Sequence, residues 1–93
     1  MLEKTIEMQL VKAVRNEGGL ALKFISPGFD GMPDRLLLLP DGKMAFVEVK
    51  APGKKPRALQ EARHGMLRHL GFRVYVVDAI GKIQEIINDI HTA

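Results

Sequence analysis

Apolar and polar positions follow two different periods along this chain. From Leu2 to Glu17, the residues Leu2, Ile6, Leu10, Ala13 and Val14 recur every three or four positions. That repeat predicts a helix with one buried stripe, and Gly18-Gly19 stops it. Residues 20–26 alternate by twos and predict a strand. The stretch from Ser26 to Pro33 holds two prolines and two glycines and predicts a loop. Residues 34–39 predict a second strand. Its leucine run, Leu36 to Leu39, suggests burial on both faces and hence a central position in the sheet. Asp41-Gly42 ahead of the next apolar run is a hairpin signal, so residues 43–50 become the third strand. A break over 51–56 leads to a helix over 57–70, with Leu59, Ala62, Met66 and Leu70 as its stripe. Gln60 lies on a different, mixed face with Arg63, His64 and Leu67. Residues 72–77 are β-branched and aromatic, which predicts a fourth strand. Ile83, Ile86, Ile87 and Ile90 mark a closing helix over 80–91.

The order is α-β-β-β-α-β-α. Three strands can form an antiparallel meander, and the fourth returns through a right-handed crossover. The expected class is α/β, a mixed sheet flanked by helices. At 93 residues, one domain spanning 1–93 is the expectation.

Composition narrows the chemistry. Without cysteine there is no disulfide and no thiolate metal site. A metal, if held, takes oxygen or imidazole ligands, and oxygen favours Mg²⁺, Mn²⁺ or Ca²⁺. No apolar run approaches the ~20 residues of a membrane span, and no signal peptide is visible, so a cytoplasmic protein is expected. The net charge of +3 permits nucleic-acid binding without requiring it. Its distribution says more: Lys50, Lys54, Lys55 and Arg57 crowd one break.

One stretch gathers charge onto a core strand. In the run from Met44 to Lys50, parity puts Glu48 and Lys50 on one face and Val47 and Val49 on the other. Asp34 opens the preceding strand. If the two strands pair as a hairpin, Asp34 comes beside Glu48 and Lys50, an arrangement suited to holding a divalent metal against a phosphate. Plainer readings stand beside this one. Asp34 can cap a turn after Pro33, and Glu48 with Lys50 can be a solvated pair of little energetic weight. Glu7 can be a flanking residue paired with Lys4 or Lys12, or a carboxylate delivered into the cleft. Lys54, Lys55 and Arg57 can be a solvated loop, and His64 reads as a surface histidine.

Pro33-Asp34 followed by Glu48-Val49-Lys50 matches the PD-(D/E)xK nuclease pattern, and the element order matches that superfamily's core. Glu7, Gly18-Gly19, Lys23, Gly31-Met32-Pro33-Asp34, Val47 to Pro52, Gln60 and Leu70-Gly71-Phe72 follow in sequence. Over residues 4–78 the chain resembles the VRR-NUC family, the virus-type replication–repair nucleases, in minimal standalone form. The resemblance implies a metal-dependent phosphodiesterase using Mg²⁺ or Mn²⁺. It implies Asp34, Glu48 and the main-chain carbonyl of Val49 as metal ligands, with Glu7 binding directly or through water. Lys50 would position or activate the attacking water, and Gln60 would support Lys50 or the scissile phosphate. Lys54, Lys55, Arg57, Lys23 and Arg63 are expected at the DNA backbone. The expected activity is a homodimeric endonuclease nicking four-way (Holliday) junctions, in a bacterial cell or phage-infected host. The alternatives are a less selective nuclease of flaps, nicks or single strands, and a non-catalytic DNA-binding module.

Overall fold

In the computed structural model, which describes residues 1–93, all seven expected elements form in the expected order. They are α1 (Glu3–Asn16), β1 (Leu20–Lys23), β2 (Arg35–Leu39), β3 (Lys43–Val49), α2 (Ala58–His69), β4 (Val74–Val77) and α3 (Gly81–His91). The sheet runs β1-β2-β3-β4, antiparallel across the first three strands and parallel between β3 and β4. The hairpin joining β2 to β3 is a single 3-10 turn, Pro40–Gly42, with Asp41 and Gly42 both at positive φ. No helix is long and apolar enough to cross a membrane.

Strand parity divides the sheet into two unlike faces. Leu37, Leu39, Ala45, Val47, Val49 and Val77 point to one side. There they bury the stripes of both α1 (Ile6, Leu10, Val14) and α3 (Ile83, Ile86, Ile87, Ile90) in one thirteen-residue core. The opposite side carries Phe46 and Val74, which join Leu67 of α2 in a small cluster. Phe24 and Phe72 both present edges to Phe46, with centroids 5.5 and 6.0 Å away. Gly19 lets α1 turn tightly into the sheet, since a Cβ there would lie 2.3 Å from the Leu38 carbonyl oxygen.

Two expectations from periodicity need correction. The leucine run is not buried on both faces: Leu37 is fully buried, but Leu38 is 37% exposed. Helix α2 covers the β3–β4 half of its face and leaves Leu20, Leu22 and Leu38 open. The first strand also ends at Lys23 rather than Ser26. One further bond, from the Phe24 N–H to the Asp34 carbonyl at 2.8 Å, closes the pairing before the prolines of the loop.

Candidate active site

The register of β2 and β3 pairs Arg35 with Val47. Asp34 therefore stands opposite Glu48, and both side chains fall on the α2 face. One step further, Pro33 would stand opposite Val49. The Val49 N–H and C=O point toward β2, because the neighbouring Lys50 N–H bonds the Val77 carbonyl of β4. Proline has no N–H to give the Val49 carbonyl. The Val49 N–H instead donates to Asp34 Oδ2 at 2.8 Å. A side chain thus replaces a ladder bond at the point where the sheet opens, and the Val49 carbonyl is left without a ladder donor.

Glu48 is 1% exposed, an unusual place for a carboxylate. Both its oxygens are held from α2. Gln60 Nε2 donates to Oε2 at 3.2 Å, and His64 Nε2 lies 3.3 Å from Oε1. Lys50 Nζ is 3.8 Å from Oε2. Burial pushes the Glu48 carboxyl up to about 8, the nearby Asp34 carboxyl reinforces the rise, and Lys50 opposes it. Burial also lowers the His64 imidazole, with the Arg68 charge acting the same way. Gln60 acts twice, since its Oε1 also accepts the Arg57 N–H at 2.8 Å and so caps the start of α2. Gly31 lets the preceding loop close on α2: its φ is +90°, and a Cβ there would press on Leu59.

The structure brings Asp34, Glu48, Lys50 and Gln60 together and does not bring Glu7 to them. Helix α1 packs on the other face of the sheet, where Glu7 Oε2 meets Arg35 Nε and Nη2, both at 3.0 Å. The α1 carboxylate whose charge reaches Glu48 is Glu3, in the helix's first turn. Gln60 binds Glu48 rather than Lys50. His64 is not a surface residue but is buried against Glu48. Its place one turn beyond Gln60 and three residues before Leu67 was the available signal. Arg63, expected at the DNA, fastens the loop: its Nε donates to the Asp30 carbonyl at 2.8 Å and its guanidinium lies 3.8 Å over the Phe29 ring. Lys54, Lys55 and Arg57 are exposed beside Lys50. Lys23 pairs with Arg35 and so faces α1, across the sheet from Glu48.

Comparison with known proteins bears on the family and the fold. The model of the VRR-NUC domain matches residues 2–80. A solved VRR-NUC domain superposes with a TM-score of 0.87 at 32% identity, covering 92% of this chain and 94% of that one. The p44 protein of Acyrthosiphon pisum secondary endosymbiont phage 1, which carries a nuclease name, is 53% identical over 77 residues, 83% of either chain. This chain belongs to the VRR-NUC family.

Proposed function

We propose that this protein is a divalent-metal-dependent endonuclease acting on branched DNA. The observation that carries the reading is the Asp34–Glu48 pair, set on one sheet face beside Lys50 and fixed by Gln60 and His64. Family membership supports the nuclease class, as does the nuclease name of the phage relative.

The donor set fits a hard cation. Glu48 is buried with the partly buried Asp34 beside it, and burial together with the neighbouring acid raises the Glu48 carboxyl. The Val49 carbonyl has no ladder donor to compete for it. No three His, Asp or Glu side chains gather into a cage. Mg²⁺ and Mn²⁺ suit such a sparse oxygen set, since Mg²⁺ keeps several of its own waters. Asp34, Glu48 and the Val49 carbonyl would hold the ion, with Glu7 held away by its pairing with Arg35. When bound, the ion supplies Lewis acidity toward the phosphate and a more acidic water.

The chain's own residues do the rest. Gln60 and His64 fix both oxygens of Glu48, so the carboxylate needs no reorganisation at the moment of reaction. Lys50 places a positive charge beside Glu48, where it orients the attacking water and offsets charge gathering on the phosphate. Lys54, Lys55 and Arg57 grip the flanking backbone without reading sequence. The uncovered apolar strip of Leu20, Leu22 and Leu38, along the edge strand, supports a homodimer. Two cleavage sites at fixed separation suit a four-way junction.

The test is a side-by-side cleavage panel of junction, flap, nicked and single-stranded DNA with Mg²⁺, with Mn²⁺ and with chelator. Junctions should be nicked first and only with metal, and Asp34→Asn should be inactive. Equal cutting of every substrate would reduce the reading to a general nuclease. Cutting that survives chelator or Asp34→Asn would overturn it.

A further inference from the structure

A basic groove lies on the sheet face opposite Glu48. Lys4, Lys12 and Arg15 of α1 form one wall, and Lys23 and Arg35 form the other, around a space of about 610 Å³. Its one carboxylate, Glu7, is neutralised by Arg35 at 3.0 Å. Arg35 is itself locked, because Nη1 donates to the Ala21 carbonyl at 3.1 Å. Lys4, Lys12, Arg15 and Lys23 form no ion pair. The other acid of α1, Glu3, does not line the groove, and Glu17 just past the helix faces His91 at 3.8 Å. Four unpaired cations therefore converge on one open channel. A row of phosphates is the ligand that such a channel complements.

The placement identifies which phosphates. Lys23 and Arg35 stand at the same end of the sheet as Asp34, so the groove opens beside the cleavage site. From Lys4 to Arg15 it then follows α1 for about 16 Å. The Lys54–Arg57 shoulder lies on the other side of the sheet. A duplex is stiff over about 50 nm. One straight helix cannot lie along both faces of a body measuring 32 × 31 × 22 Å. We propose that the groove binds the sugar–phosphate backbone of a second DNA arm, one that leaves the branch point across the sheet from the arm being cut. This rests on the branched-DNA reading above.

The test separates the two. Binding is measured by fluorescence anisotropy in a Glu48→Gln background, using a four-way junction and a linear duplex as long as two of its arms. Replacing Lys12, Arg15 and Lys23 together by glutamine should weaken junction binding about tenfold or more and lower its salt slope by roughly 2–3. Duplex binding should change less than threefold. Replacing Lys54, Lys55 and Arg57 should weaken both substrates. Unchanged junction binding in the groove variant, or equal losses on both substrates, overturns the groove. All three groove residues are exposed, so the variant keeps its fold, and unaltered circular dichroism checks this. Wild-type protein that cuts nothing would sink the nuclease reading, and the binding comparison would still decide the groove.

Discussion

The two faces of the sheet are built from adjacent residues and do different work. Leu37 and Leu38 are neighbours, as are Val47 and Glu48, yet parity sends each to an opposite side. One side is covered by two helices and is almost wholly aliphatic. The other is covered by one helix that meets the sheet through Leu67 at one end and through Gln60 and His64 at the other. Stability is concentrated on the first side, which leaves the second free to bury a carboxylate that folding alone would disfavour.

That contrast is open to attack by substitution. The largest effect is expected from Glu48→Gln, which should reduce cleavage by about a thousandfold or more, the scale of losing a central electrostatic element. Retention of cleavage within tenfold would mean that chemistry does not live on the α2 face. Next is Leu37→Ala on the aliphatic side, expected to cost about 2–5 kcal/mol in denaturant unfolding. The neighbouring Leu38→Ala should cost less than about 1 kcal/mol, because Leu38 is already 37% exposed. Similar losses at the two positions would erase the distinction between faces.

A third expectation concerns pH in metal-free protein. The Glu48 carboxyl is raised from 4.5 to about 8 on folding. A raised carboxyl binds its proton more readily folded than unfolded. Its contribution is present below about pH 4.5 and is lost as pH rises toward 8. Glu48→Gln cannot lose that proton. At pH 8 the variant should therefore exceed wild type in stability by about 2–4 kcal/mol more than it does at pH 4.5. Parallel curves for the two proteins across that range would contradict the burial argument. The smallest effect is reserved for α1. Glu7→Gln should cost about 1 kcal/mol of stability through its Arg35 partner and leave the cleavage rate within about threefold. Glu3→Gln should do the reverse, and interchanged results would restore Glu7 to the site.

Much of this was legible in the residues themselves. The periods 3.6 and 2 mark every element, and strand parity alone sets Glu48 and Lys50 together. The hairpin at Asp41-Gly42 brings Asp34 alongside. What periodicity lacks is the side of the sheet on which a helix settles. The stripe of α1 says that Ile6, Leu10 and Val14 are buried but not against which face, and so it leaves open whether Glu7 pairs along the helix or enters the cleft. Gln60, His64 and Leu67 show the opposite difficulty. Their spacing marks a helix face, but two polar members read as solvent-facing until a buried carboxylate supplies their partner. The leucine run misled because coverage of a strand depends on the length and placement of a helix far along the chain.

The bond between the Val49 N–H and Asp34 has a use outside catalysis. That amide proton touches the carboxylate where an ion is expected, yet it belongs to the rigid backbone of a central strand. Any redistribution of charge on Asp34 will shift the Val49 resonance in a nitrogen-correlated NMR spectrum. The protein thus carries its own gauge of site occupancy, readable residue by residue with nitrogen-15 enrichment and no substrate.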